Sequence, residues 1–260
     1  MRTSIITKIK ILIKATTVFK NWYLYPLVYF KIIKRGYIIF ETFSGLKIKL
    51  RTRSTDLMAL TNVWLVNEYS RSNFRINDND VIIDIGAHIG LFTLYASQYC
   101  KNGTIFCFEP VEENYNVLLD NIIQNKLKNV NPFKSAVSKS ESTITIYRNK
   151  DEAGHSMFSS TSHTLKANSI SLKKIIDENS IDQCNLIKMD CEGAEYEIIE
   201  SLPLEYFKKI SKMIIEYHFA DSKLKLFNNL KTKLMTASFN ISTVSHSSDM
   251  GLLYAVKQQI

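Results

Sequence analysis

Between residues 81 and 218 the chain alternates short apolar runs with longer segments of helical periodicity. Five runs predict buried strands, because both faces of each run are apolar. These runs are VIIDI, TIFCF, VNPFKSAV, NLIKMD and KMIIEYHF. The segments between them, such as LFTLYASQY and VEENYNVLLDNIIQNK, carry apolar residues on one face, as amphipathic helices do. This alternation predicts an α/β domain with a mainly parallel sheet covered on both faces.

Two apolar runs near the end of the chain extend this pattern. FNISTVS and LLYAVK predict an antiparallel hairpin that turns around Met250-Gly251. Together with the five core strands, they predict a seven-stranded, mostly parallel, Rossmann-like sheet with a C-terminal antiparallel hairpin. STITIY predicts one further strand at a solvent-exposed edge.

Residues 1–75 precede this core and show a different pattern. A helix is predicted near the start and another at 56–70, and the alternating runs around Ser44-Gly45 predict a β-hairpin at 37–51. We therefore expect an N-terminal accessory region of helix, hairpin and helix over residues 1–75, and a main domain over residues 76–260.

Positive charge is concentrated at the N-terminus. The net charge is +8, yet residues 1–53 contain twelve Lys/Arg and one acidic residue, whereas the other 207 residues contain 21 Lys/Arg and 24 acidic residues. Residues 1–35, basic and aromatic, could therefore lie on an anionic membrane surface. Alternatively, they form a helical cap whose lysines face water. The longest uncharged run, residues 21–30, is too short to cross a bilayer.

The four cysteines show no spacing typical of a metal site. No signal-peptide pattern is recognisable at the N-terminus. We therefore expect a reduced, cytoplasmic protein without zinc.

The turn after the first core strand, DIGAHIG, contains two glycines four residues apart. The three-glycine dinucleotide fingerprint and the GxxxxGK[ST] phosphate loop are both absent, which argues against a polyphosphate ligand. Glu109 ends the next strand, 23 residues after Gly86. A carboxylate there can accept hydrogen bonds from both ribose hydroxyls. This combination favours S-adenosylmethionine, although a tight strand–helix turn without a ligand is the alternative.

Specific roles follow for the residues of this turn. We expect Asp84 to order the turn and to help bind the amino-acid portion of the cofactor. Gly86 would let the backbone pass close to the ligand, and Gly90 would let the helix start against the strand. The other cofactor-binding candidates are Ala87, His88, Glu109, Pro110 and Asp190.

A second motif, KMDCEGAEYEIIE, places three carboxylates close together at the end of the fourth core strand. They belong to Asp190, Glu192 and Glu195, and they repel one another unless a cationic sulfonium, substrate hydrogen bonds or a helix N-terminus compensates. Glu195 is alternatively a first-turn acid that only stabilises the helix dipole.

DIGAHIG, FCFEP, KMDCEGAEYEII and IIEYH, in this order and spacing, resemble the FkbM family of S-adenosylmethionine-dependent methyltransferases. The resemblance covers roughly residues 55–220 and implies the class I methyltransferase fold. It also implies O-methylation of hydroxyls on macrolides or sugars. The chain departs from the family at His88, where Asn is common, and at Cys191, where Val or Ile is frequent.

A base beside the acceptor hydroxyl would accelerate such a transfer by roughly 10²–10⁴-fold. We predict that Asp190 and His218 are catalytic and that Glu192 and Glu216 bind substrate. His218 can alternatively be a structural histidine bonded to backbone. No metal is expected, although these carboxylates could hold Mg²⁺.

The small, polar residues 148–168 predict a long loop that covers the substrate. His155 and Ser156 are therefore candidates for substrate binding, unless this is an ordinary exposed loop.

Other classes of function are less well supported. A nucleic-acid methyltransferase is favoured only by the basic N-terminus, since the chain lacks an NPPY-type motif and its catalytic part is mildly acidic. A non-catalytic membrane-surface protein would not need to keep all four of Asp84, Gly86, Glu109 and Asp190. The glycine spacing argues against a nicotinamide oxidoreductase. We expect a small-molecule or glycan substrate and no nucleic acid.

Overall fold

The computed structural model describes residues 4–148, 155–156 and 164–258. Its N-terminal region contains the predicted helices and hairpin. These elements are α1 (Ile5–Val18), α2 (Leu24–Tyr29), β1 (Tyr37–Glu41), β2 (Lys47–Arg51) and α3 (Asp56–Leu60). Thr61–Val66 continue α3 as a π-helical stretch, which ends where Asn67 adopts a left-handed backbone conformation.

The central sheet has the predicted seven strands. They are β3 (Val81–Ile85), β4 (Thr104–Phe108), β5 (Val130–Phe133), β10 (Leu186–Met189), β11 (Lys212–His218), β12 (Phe239–Ser245) and β13 (Met250–Lys257). Their order is β5-β4-β3-β10-β11-β13-β12, and β13 runs in the direction opposite to that of the other six strands. The mostly parallel sheet and the closing hairpin are therefore confirmed. The predicted turn position is wrong by a few residues, because Met250 and Gly251 already pair within β13.

The direction of chain progression reverses between β3 and β10. From β3 the chain proceeds to β4 and β5 on one side, and it later returns to β10 on the other. At such a point the loops after two neighbouring strands diverge and leave a crevice at the carboxyl edge of the sheet. Both sequence motifs lie at this edge.

A second sheet of four strands lies outside the central one. It consists of β6 (Ala136–Ser138), β7 (Ser142–Arg148), β8 (His155–Ser156) and β9 (Thr164–Ser171), in the order β6-β9-β7-β8. The run VNPFKSAV thus divides between two sheets. The prediction of a loop over residues 148–168 is wrong in two places. β8 and the start of β9 are strands, and both pair with β7. Residues 149–154 and 157–163 lie outside the described chain.

Five more helices connect and cover the strands: α4 (Leu91–Ser97), α5 (Glu112–Gln124), α6 (Leu172–Glu178), α7 (Glu195–Ser201) and α8 (Leu224–Thr236). Buried apolar side chains form two layers, one on each face of the central sheet. Phe19 and Phe40 of the N-terminal region are fully buried in the same layer as Ile82 of β3. The N-terminal region therefore completes one side of the core.

The outer edge of β2 is bound by side chains instead of another strand. The backbone N–H of Lys47 donates to Asn125 Oδ1, that of Lys49 to Asn121 Oδ1, and that of Arg51 to an oxygen of Asp56, at 2.7–2.8 Å. Both asparagines lie on α5 or directly after it, so the hairpin is attached to the main domain through its own backbone.

Candidate active site

Backbone conformation explains the two glycines of the β3 turn. Gly86 has φ +73°, and a Cβ there would lie 1.8 Å from the carbonyl oxygen of Asp190. Gly90 has φ +85°, and a Cβ would lie 2.5 Å from Cδ1 of Leu118 on α5. Gly86 therefore permits contact with the turn after β10, and Gly90 permits contact with α5. These contacts give packing reasons for both glycines, and the approach of Gly86 to a ligand stays a prediction.

Asp84 lies beneath the turn and is fully buried. Its Oδ2 accepts a hydrogen bond from Thr93 Oγ1 at 2.7 Å, and its Oδ1 lies 3.2 Å from Lys188 Nζ. Lys188 Nζ also donates to the Gly86 carbonyl at 2.8 Å. Burial opposes the charge of Lys188, but Asp84 and Asp190 keep its pKa above the usual value. Asp84 and Lys188 thus hold the turn in place from inside the protein. Asp84 itself does not line the cavity at this edge of the sheet.

His88 connects the turn to the N-terminal region. It has a left-handed backbone (φ 52°), and its Nε2 lies 3.2 Å from Nη2 of Arg51 and 3.5 Å from Oδ1 of Asp56. Arg51 and Asp56 also pair through two side-chain contacts of 2.8 and 3.0 Å. Burial lowers the pKa of His88 to about 4, so its ring is neutral near pH 7.

Glu109 is held at the end of β4 with only 4% of its surface exposed. Its Oε2 accepts the His88 N–H at 2.8 Å, and its Oε1 accepts the Val111 N–H at 2.9 Å. Burial raises the pKa of Glu109 to about 7, although these backbone hydrogen bonds lower it in part. Glu109 Oε1 also accepts a hydrogen bond from Asn114 Nδ2 at 3.4 Å. The carboxyl group is thus rigidly oriented, yet burial keeps it costly to ionise.

Four carboxyl groups surround His218 at the end of β11. Nδ1 lies 3.0 Å from Oε1 of the fully buried Glu195, whose Oε1 also accepts the Cys191 N–H. Nε2 lies 3.6 Å from Glu192 and 4.0 Å from both Asp190 and Glu216. Glu195 therefore does more than stabilise the helix dipole, because it orients the imidazole.

Burial opposes protonation of His218, but the hydrogen bond and charge of Glu195, with further contributions from Glu192 and Asp190, raise its pKa to about 10. Burial also raises the pKa of Glu192 to about 7 and that of Glu216 to about 9, where the charge of Asp190 adds to the shift. Negative charge is thus in excess around this ring.

Both groups of residues line a single cavity of about 450 Å³. Nearly all predicted site residues with described side chains reach it, the exceptions being Asp84 and Gly90. The predicted residues along its wall are Gly86, Ala87, His88, Glu109, Pro110, Asp190, Glu192, Glu216 and His218. Ile144 and Ile146 of β7 close another side. His155 and Ser156 pair with β7 through their backbones, and their side chains lie outside the described part of the structure.

Several cavity residues were not predicted. Tyr69 donates to Glu216 Oε2 at 3.4 Å, and His246 Nε2 lies 3.0 Å from Glu68 Oε1. These residues come from distant turns and carry no local signal. Lys188 did carry a local signal in the sequence, because a lysine inside the apolar strand LIKM is buried and needs a partner for its charge.

These residues fit S-adenosylmethionine. The buried Glu109 carboxyl at a strand end can accept hydrogen bonds from ribose hydroxyls, and the carboxylates further along the cavity suit a cationic sulfonium. Lys188, which compensates Asp84, is the buried cation nearest the turn.

The chain is similar to several known proteins. Methyltransferase 1 of Beauveria bassiana is 23% identical over 187 residues, which cover 64% of this chain and 74% of that protein. The hexuronic acid methyltransferase AglP of Haloferax volcanii is 23% identical over 141 residues, or 54% of this chain and 57% of that protein. Among solved structures, fibrillarin of Aeropyrum pernix with bound S-adenosylmethionine superposes with a TM-score of 0.48 at 13% identity, covering 85% of this chain and 83% of that one.

The family comparison is decisive. Residues 84–239 match the methyltransferase FkbM domain, and this segment contains the β3 turn, Glu109 and the His218 cluster. It amounts to 156 of the 260 residues. The chain therefore belongs to the FkbM methyltransferase family and is an S-adenosylmethionine-dependent methyltransferase.

Proposed function

We propose that the enzyme methylates a hydroxyl group of a sugar, a glycan or another polar small molecule. The observation that carries this proposal is the shared cavity, which has the Glu109 turn at one end and the His218 cluster at the other. A cofactor held at the first end would direct its methyl group towards the second. In-line positioning of this kind can contribute several kcal/mol to the rate.

The charge of the cavity favours a neutral acceptor. Asp190, Glu192, Glu216 and Glu68 all line it, and their carboxylates can accept hydrogen bonds from sugar hydroxyls. An anionic acceptor, such as a uronic acid carboxylate or a nucleic-acid phosphate, would be repelled by those of these groups that are ionised. We therefore favour a neutral hydroxyl acceptor over a carboxylate and over nucleic acid.

When bound, S-adenosylmethionine supplies an electrophilic methyl group on a sulfonium. Glu109 would orient the ribose, and Gly86 and Lys188 would hold the turn that contacts the cofactor. Asp190 would accept the hydroxyl proton as the new C–O bond forms and the S–C bond breaks. His218, which its raised pKa keeps protonated near pH 7, would take this role only after losing its own proton. Glu192 and Glu216 would bind the remaining hydroxyls of the acceptor.

Calorimetric titration with S-adenosylhomocysteine, followed by acceptor assays, tests this proposal. Glu109→Ala should weaken binding at least tenfold, whereas Glu112→Ala, an exposed change on α5, should leave it unchanged. Methyl transfer to neutral sugars should then exceed transfer to the matching uronic acids. Faster methylation of the uronic acid carboxylate would refute the choice of a hydroxyl acceptor.

We also infer that the N-terminal region contacts an anionic membrane surface. Only Ala15 of α1 is fully buried, while Ile5, Ile9 and Ile13 are 76%, 53% and 60% exposed. These isoleucines share one face because they are spaced four residues apart, and exposed lysines such as Lys8 lie beside it. This combination suits the boundary between acyl chains and anionic head groups. Among the described helices, none has the length and apolar character needed to span a bilayer.

Vesicle co-sedimentation tests the membrane contact. Binding should require phosphatidylglycerol and weaken with salt, and it should be lost in the double variant Ile9→Ser/Ile13→Ser. Leu224→Ser, an equally exposed apolar change on the basic helix α8, serves as the control. Equal binding by both variants, or no binding by the unmodified protein, would rule the contact out.

A further inference from the structure

Within the described part of the chain, Nε2 of His218 lies among carboxylates but has no hydrogen-bonding partner at normal distance. The residue is only 6% exposed, and its Nδ1 is fixed by the fully buried Glu195 at 3.0 Å. Its Nε2 points among Asp190, Glu192 and Glu216, but the nearest carboxylate oxygen is 3.6 Å away and the other two are 4.0 Å away. These distances exceed those of normal N–H···O hydrogen bonds.

The same distances suit atoms that share a metal ion. One ligand atom each from Asp190, Glu192 and His218 lies within 4.8 Å of the other two. Ligand atoms bound to one first-row cation at about 2.0–2.2 Å lie about 3 to 4.4 Å apart. The spacing around Nε2 falls within this range.

The surroundings of the imidazole also match those of a metal-bound histidine. In protein metal sites the histidine usually donates its second ring N–H to a carboxylate, which fixes the ring and its tautomer. Glu195 holds that position on Nδ1, so Nε2 faces the cavity and would bind a cation by giving up its proton. The excess of carboxylates around Nε2, with Glu216 in addition to the two candidate ligands, is what a divalent cation would compensate.

We propose that Asp190, Glu192 and His218 bind a divalent first-row metal ion, such as Mn²⁺, with open positions towards the cavity. Two carboxylates and one imidazole form a mixed O/N donor set, which suits Mn²⁺ or Zn²⁺ better than Ca²⁺. This proposal replaces the expectation of a metal-free site. Its catalytic meaning rests on the proposed function, since a cation here would orient the acceptor hydroxyl and lower its pKa.

Metal binding can be measured without any acceptor. The full-length protein is stripped with EDTA and titrated with MnCl₂, with free Mn²⁺ followed by electron paramagnetic resonance. We expect one ion per chain, and at least about tenfold weaker binding by Glu192→Gln. The Glu192 side chain is 27% exposed, so this substitution should leave the fold intact. Glu205→Gln, an exposed change of the same chemistry, should bind Mn²⁺ as the unmodified protein does.

Titration of the same samples with S-adenosylhomocysteine reports whether the cofactor end of the cavity is folded. Protein that binds this ligand but takes up neither Mn²⁺ nor Zn²⁺ at millimolar concentration would overturn the metal site and leave the methyltransferase assignment standing. Equal Mn²⁺ affinity of the unmodified protein and Glu192→Gln would also overturn it, because the ion would then bind elsewhere. Loss of Mn²⁺ binding in Glu192→Gln alone would support it.

Discussion

Replacing Glu109 with glutamine should change how the stability of the ligand-free protein depends on pH. Glutamine keeps the shape and one acceptor oxygen but cannot ionise. In the folded protein, burial raises the pKa of Glu109 from 4.5 to about 7. Its protonated form is thus favoured by folding, so the stabilisation is complete below pH 4.5 and is lost as the pH rises through 7.

The size of the effect follows from the pKa difference. A shift of about 2.5 units corresponds to about 3 kcal/mol in total, of which about 2.5 kcal/mol develops between pH 5 and pH 8. Glu109→Gln should therefore gain about 2.5 kcal/mol in stability relative to the unmodified protein over that interval. Its absolute stability can be lower throughout, because the amide nitrogen cannot accept one of the N–H groups of His88 and Val111.

Urea denaturation followed by circular dichroism at several pH values, without cofactor, measures the difference. Glu205→Gln is the control, since its side chain is exposed and its curve should run parallel to that of the unmodified protein. A Glu109→Gln curve that also ran parallel would refute the reasoning. It would mean that the two backbone N–H groups fully replace water around the carboxylate.

Two further substitutions test the support of the β3 turn. Lys188→Met should lower the free energy of unfolding, measured by urea denaturation, by about 3–5 kcal/mol, because it leaves the buried Asp84 charge uncompensated. The control Lys139→Met, at an exposed position, should change it by less than about 0.5 kcal/mol. Gly86→Ala should prevent folding or S-adenosylhomocysteine binding in calorimetry, since its Cβ would meet the Asp190 backbone. Gly36→Ala also has positive φ but open surroundings, and it should cost only about 1–2 kcal/mol. Equal costs for the two members of either pair would contradict these assignments.

The central sheet and the order of the two motifs could be predicted because their signals are local. Runs such as VIIDI are buried on both faces, so they remain strands wherever their neighbours lie. STITIY was predicted as a strand and forms β7, but between β9 and β8 and not at an edge. The four-stranded sheet itself could not be predicted, because it depends on pairing between distant, partly exposed segments.

Within the site, the sequence identified which residues gather at the edge of the sheet but not how each is oriented. Spacing alone does not distinguish Asp84, which points into the core towards Lys188, from Asp190, which faces the cavity. Nor does it show that Glu195 approaches a histidine 23 residues away. Such orientations depend on the twist of the sheet and on side-chain packing, which the one-dimensional pattern does not contain.

The side-chain bonds along β2 have a consequence for self-association. An open strand edge is a template on which a second chain can add its own strand, and many proteins block such edges with charges or bulges. Here Asn121, Asn125 and Asp56 occupy the donors that an incoming strand would need. The asparagines lie more than 70 residues later in the chain than the strand they protect. A newly synthesised hairpin is therefore open to misassembly until α5 has been made and has docked.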